Sequence, residues 1–228
     1  MTEFRSAIAA RFHANARVPR SAIFGRDDPL PLNLPEDAHT MFAGFVGTGY
    51  APGGTVFVAI NPGGGGDAYT HRRPADEQLY PVLAAFRDAV GAAVPEKFEE
   101  INRVFPPLFA TWPIRRIAAP CLEAAGARLD DIAYLNVVPY RTREDRAPKV
   151  SALRASWREV TGPTLEVLRP ARIIALGKKA GDALQRFPLP SGTLHVVPRT
   201  IGDSYISDAA RMVLREIERD GGVRVPAC

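Results

Sequence analysis

Nearly continuous apolar runs, separated by stretches with helical period, set the plan of this chain. TVFVAI (55–60), DIAYLNVVPY (131–140), ARIIAL (171–176) and TLHVVP (193–198) are rich in β-branched and aliphatic residues, the pattern of strands covered on both faces. Between them the pattern predicts helices over 78–93, with Pro81 in the first turn, over 114–126, stopped by Gly126, and over 149–170, interrupted or bent at Gly162-Pro163. Two more follow, over 178–187, opened by Gly177, and over 207–220, with Ser207 as N-cap. The N-terminal MTEFRSAIAARFHANARVPR reads as a first helix, and RDDPLPLNLPE (26–36), with three prolines in eleven positions, reads as an extended connector.

Strands alternating with helices at this spacing predict parallel β-α-β units. The expected fold class is α/β, a three-layer αβα sandwich with a central, mostly parallel four-stranded sheet. An N-terminal helix and Pro-rich wrapping arm would occupy residues 1–40, and the α/β domain 41–228. Ligands of such sheets collect beyond the carboxyl ends of the strands. Here those ends carry Asn61-Pro62-Gly63, Asn136, Gly177-Lys178 and Pro198-Arg199-Thr200.

Composition narrows the function classes. No apolar run approaches the roughly 18 residues of a membrane span, and the N-terminus lacks a secretory signal, so a cytoplasmic protein without a membrane partner is expected, as a monomer. The two cysteines, Cys121 and Cys228, allow neither a disulfide framework nor a four-thiolate site, and the four histidines are scattered. No metal and no cofactor are expected. Lys plus Arg outnumber Asp plus Glu by 29 to 25, giving a net charge of +4. That is compatible with a phosphate-rich partner but does not require one.

The strand 55–60 runs into Asn61-Pro62 and four consecutive glycines, Gly63 to Gly66. Gly63, Gly65 and Ala68 satisfy the G-x-G-x-x-G/A dinucleotide fingerprint, but that fingerprint wants an acidic residue at the end of the next strand, and Asp88 lies in a helical pattern. Asn-Pro-Gly is also ordinary turn chemistry, although a turn rarely needs four glycines, each costing entropy.

A third reading takes the strand ends together. AINPGG (59–64), AYLNVVPYRTREDRAPK (133–149) and ARIIALGKKAGDAL (171–184) occur in order, each at a strand end. In these segments the chain resembles the uracil-DNA glycosylase superfamily over roughly residues 42–215. The first is similar to the opening motif of the mismatch-specific and single-strand-selective branches, and the other two to segments of the thermophilic iron-sulfur branch, whose cysteines are missing here. The resemblance implies a DNA partner, with Asn61 positioning the attacking water.

Excising a base requires flipping it into a pocket that reads its hydrogen-bonding edge. Uracil places an acceptor O4 beside a donor N3-H, which one Asn amide complements, and Asn136 is the candidate; a strand-end Asn bonded to local backbone is the alternative. Gly63 and Gly64 would bring backbone close to the base. The resemblance also implies an aromatic ring against it, for which Tyr69 and Tyr80 are candidates and Phe86 a more distant one. Lys178, Lys179, Arg141, Arg143 and Thr200 are candidate phosphate contacts, or else part of a solvated basic surface.

The superfamily's last motif carries His or Asn after the fourth strand, where this chain has Val197, which cannot donate a hydrogen bond. His195 and Arg199 are the candidate replacements, His195 being otherwise an ordinary partly buried histidine. Three functions follow: a glycosylase for uracil or another deaminated base, a glycosylase-fold protein that binds nucleic acid or a nucleobase without cleaving it, and a nucleotide-binding α/β enzyme of another kind.

Overall fold

The computed structural model describes residues 2–25, 41–42, 44–63, 74–143, 146–190, 192–199 and 206–221. The protein is an α/β sandwich. Strands β1 (Phe45–Val46), β2 (Thr55–Ala59), β3 (Ile132–Asn136), β4 (Arg172–Leu176) and β5 (Thr193–Val197) form one sheet in the order β1-β3-β2-β4-β5. β2 lies parallel to β3 and β4, and β5 parallel to β4, while β1 is antiparallel to β3. The four apolar runs thus become the four parallel strands, and the sheet gains a fifth strand that the hydrophobic pattern does not predict. A two-residue strand is too short to carry a period. It is set by its surroundings: Gly44, at φ +88, lies so close to the Tyr134 carbonyl that a Cβ would overlap it. Asn102 completes this edge by accepting a hydrogen bond from the Val46 N–H at 2.9 Å.

The helices are α1 (Glu3–Ala16), α2 (Arg20–Ile23), α3 (Pro74–Asp88), α4 (Ala93–Phe109), α5 (Arg115–Ala124), α6 (Val150–Ser156), α7 (Gly162–Leu168), α8 (Lys178–Leu184) and α9 (Asp208–Gly221). α3 starts earlier than the pattern predicts, which puts Pro81 inside the helix rather than in its first turn. α4 was hidden from the pattern by Pro106 and Pro107, yet Phe98, Ile101, Phe105 and Leu108 fall three or four apart and are all buried. Ser207 caps α9 as expected, accepting from the Ala210 N–H at 3.2 Å.

The predicted interruption at Gly162-Pro163 is a turn of π-helix, Trp157–Thr161, between α6 and α7. Gly162 donates to the Trp157 carbonyl across this wide turn, and a Cβ at Gly162 would stand 2.9 Å from that same oxygen. Pro163, lacking an N–H, cannot continue the regular ladder. Among the described residues no helix is long and apolar enough to cross a membrane.

The core is strongly aromatic on the β1–β3 side. Phe45 stacks on Phe105 with ring centres 4.6 Å apart, and Phe109 meets Tyr134 edge-on at 5.2 Å. α1 belongs to the same core through Ile8 and Phe12, both essentially without exposed surface, and its buried Asn15 donates to Thr164 Oγ1 of α7 at 2.7 Å.

α9 packs on the sheet face that carries His195 and α8 on the opposite face, where Gly181 meets Val196. A methyl at Gly181 would overlap the Val196 side chain. Gly181→Ala is therefore expected to destabilise the protein by about 1–2 kcal/mol in urea unfolding, although alanine is the better helix former. Adding Val196→Ala should remove that penalty; equal losses with either residue at 196 would contradict the overlap.

Candidate functional site

Register decides what meets at the carboxyl end of the sheet. β2 is central, and the chain passes from it to β3 on one side and then crosses back to β4 on the other, the kind of reversal at whose strand ends ligands collect in such sheets. Ala59 of β2 lies opposite Asn136 of β3. Pairing continues past the regular strands, with Val137 N–H donating to Ala59 O at 2.8 Å and Val138 N–H to Ile60 O at 2.9 Å. Asn61 and Asn136 thereby stand at the ends of neighbouring strands.

Asn136 is 3% exposed, and both its Nδ2 and its Oδ1 are buried without a hydrogen-bond partner. Leaving such groups unpaired costs about 1–3 kcal/mol each, so both ends of this carboxamide are left with hydrogen-bonding capacity to offer. The alternative of a strand-end Asn bonded to local backbone does not hold. The backbone just beyond it is fixed firmly: the Val137 carbonyl accepts from Ser156 Oγ at 2.6 Å and from Thr161 Oγ1 at 2.8 Å. These hydroxyls flank the π-turn. Residues five apart stack in a π-helix but would diverge by about 140° on an α-helix, so the wide turn is what lets both reach one carbonyl.

Asn61 is half-buried and donates from Nδ2 to Thr142 Oγ1 at 3.0 Å and, at 3.4 Å, to the Pro62 carbonyl. Thr142 is fully buried and donates in turn to the Arg146 carbonyl. Thr142, Ser156 and Thr161 were not singled out from the sequence, and no local signal marks them, since RTRE reads as exposed and the other two sit in a helical pattern.

Beyond β4, Gly177 adopts φ +113, a conformation that favours glycine, and donates to the Val197 carbonyl at 2.9 Å. The stem of the exposed Arg199 passes this glycine, with Cγ 3.8 Å from where a Cβ would be. The Arg199 charge is felt at Tyr134 on β3, opposing the rise in hydroxyl pKa that burial causes. Arg199 therefore lies beside Gly177 at the carboxyl end of β4. Lys178 and Lys179 are exposed in the first turn of α8. Gly63 is exposed with open space where a Cβ would stand, so packing within the described residues does not require it to be glycine.

Other candidates lie elsewhere. Tyr80 is 2% exposed and has the Arg141 guanidinium 5.7 Å from its ring centre, so it belongs to the core rather than offering a face to a base. Arg141 is itself buried, which removes it from the surface phosphate contacts, and Arg143 is half-buried. Phe86 is fully buried. Gly64, Tyr69 and Thr200 lie outside the described residues.

His195 does not join the strand-end group. It lies level with Ile174, two residues before the strand end, buried beneath α9 with Nε2 3.1 Å from Asp220 Oδ2, although the ring N–H is not aligned with that oxygen. Two residues are about 6–7 Å along a strand, which with its cover of helix keeps His195 from the crevice. Val197 is fully buried, so β5 ends in an apolar side chain. Cys121 is also buried, its thiol pushed up to about 12, and so is no nucleophile. A cleft of about 690 Å³ between Phe4, Arg5, Tyr50 and Glu99 adjoins the loop that leads into β2, at the other end of the sheet. Its charged groups already satisfy each other, Arg5 donating to both Glu99 carboxylate oxygens at 2.8 and 2.9 Å.

Fold and site together define an α/β sandwich with two strand-end carboxamides and an exposed arginine beside its crossover point. No protein-family model matches the sequence, and no curated protein does.

The environment of His195 makes a pH prediction. Burial depresses its pKa below the ordinary 6.5 and the nearby Arg172 acts in the same direction, while Asp220 and Glu216 oppose them. The unfolded chain therefore takes up a proton near pH 6.5 that the folded chain refuses until lower pH. Stability present above pH 6.5 should be lost as pH falls below it. Thermal unfolding followed from about pH 7.5 to about pH 5 should show this decline in the wild type and a shallower one in His195→Gln; parallel curves would contradict it.

Proposed function

We propose that this protein is a DNA glycosylase that hydrolyses the N-glycosidic bond of uracil or another deaminated base. The observation that supports the reading most directly is the buried, unpartnered Asn136 carboxamide. Its Nδ2 complements the O4 of uracil and its Oδ1 complements N3–H, so a flipped base satisfies both atoms at once. The resemblance of the three strand-end motifs to the uracil-DNA glycosylase superfamily points the same way.

In the reaction a water oxygen bonds to C1′ of the sugar as the C1′–N bond breaks. The bonding pair leaves with the base, the water loses a proton to solvent, and the base gains one. Asn61 holds the water but is no base, and no carboxylate directly follows β2, β3, β4 or β5 among the described residues. The positive charge of Arg199, just beyond β5 and beside Gly177, would favour the leaving base as negative charge builds on it. Lys178 and Lys179 lie where exposed charge meets backbone phosphates.

A second reading is favoured by Val197, whose buried side chain offers no donor to the leaving base: recognition of a base in DNA without cleavage. Alkali-revealed strand cleavage of end-labelled oligonucleotides carrying one uracil, hypoxanthine or xanthine, single-stranded and duplex, separates the two. Product is expected from the wild type, reduced about 100-fold or more in Asn61→Ala and in Asn136→Ala. Binding of those oligonucleotides without product would select the second reading, and neither binding nor product would sink both.

A further inference from the structure

We propose that Thr142 is a positioning residue that fixes which end of the Asn61 carboxamide is presented to the crevice. Its use in catalysis rests on the glycosylase reading; the orientation itself does not. A threonine hydroxyl has one proton and can also accept. Thr142 Oγ1 lies 2.5 Å from the Arg146 carbonyl oxygen, which can only accept, so the proton is committed there. Toward Asn61, 3.0 Å away, the hydroxyl is therefore an acceptor, and Asn61 must answer with its N–H₂ group. The Pro62 carbonyl, at 3.4 Å from the same nitrogen, makes the same demand.

Both neighbours thus select one of two orientations that are almost identical in shape. A carboxamide can turn over at little steric cost, and only its hydrogen bonds decide which end is oxygen. The selected orientation turns Asn61 Oδ1 away from Thr142, and among the described residues no hydrogen bond reaches that oxygen. It is left as an acceptor at the end of β2. An acceptor there takes a hydrogen bond from a bound water and leaves the water's lone pairs for the sugar carbon. The opposite orientation would spend those lone pairs on the N–H₂ group.

Asn136 makes the contrast. Its amide has no partner on either atom, so its orientation is chosen by whatever binds, whereas that of Asn61 is dictated by buried protein. Because Thr142 is fully buried, water cannot substitute for its hydroxyl.

The test uses the full chain, labelled with ¹⁵N, with the Asn61 side-chain amide assigned by its disappearance in Asn61→Ala. In the wild type its protons should exchange with water about tenfold more slowly than those of an unbonded asparagine. Thr142→Val, equal in shape but without the acceptor, should restore free exchange, and Thr142→Ser should keep it slow. Free exchange in the wild type overturns the proposal even if Thr142→Val fails to fold, and slow exchange in Thr142→Val overturns it as well. On an oligonucleotide that the wild type cleaves, Thr142→Val should lower kcat about tenfold with KM within about twofold, and Thr142→Ser should recover most of it. An unchanged kcat in Thr142→Val overturns the catalytic part. A wild type that cleaves nothing sinks the glycosylase reading alone, while the exchange data still decide the orientation.

Discussion

The register of β2 against β3, with Ala59 opposite Asn136, is the constraint on which the site depends. A slip of one residue would turn every side chain of β3 to the other face. Tyr134 would leave the aromatic cluster of Phe45, Phe105 and Phe109, and Asn136 would leave the crevice. The same apolar packing that holds the core therefore aims the carboxamide. The cost of an unpaired buried amide is tolerable because the aromatic face beneath it fixes the strand so firmly.

Polar groups outside the sheet complete the arrangement. Ser156 and Thr161 tie down the Val137 carbonyl from two sides of the π-turn, and Thr142 ties Asn61 to the loop that follows β3. All three hydroxyls are buried, so their hydrogen bonds form without competition from water. The carboxamides stand on rigid supports, and the charged groups, Arg199, Lys178 and Lys179, stand at the exposed rim. Shape is set inside and charge outside.

β5 ends in apolar rather than polar side chains. Val197 and His195 share a face, and α9 covers it, with Asp220 against the imidazole. A histidine there contributes to how the C-terminal helix sits on the sheet. Arg199, two residues beyond Val197, is the exposed charge at this strand end, and its stem passes the bare backbone of Gly177.

The four parallel strands, the break at Gly162-Pro163 and the cap at Ser207 were legible in the sequence because each is written in a local pattern: an apolar run, a missing N–H, a side chain that accepts from the next turn. Asn61 and Asn136 were legible as candidates because strand ends of a parallel sheet are where ligands gather. β1 and α4 were not, since a two-residue strand has no period and prolines punctuate a helix whose apolar spacing is otherwise regular. Nor could sequence separate Arg141 and Tyr80, which pack on each other in the core, from Arg199 and the lysines at the rim. The sequence by itself determined the four parallel strands and which polar residues stand at their ends. Only the tertiary structure decided which polar atoms are paired, leaving Asn136 open and Asn61 held by Thr142, because pairing joins residues far apart in the chain and no local pattern records it.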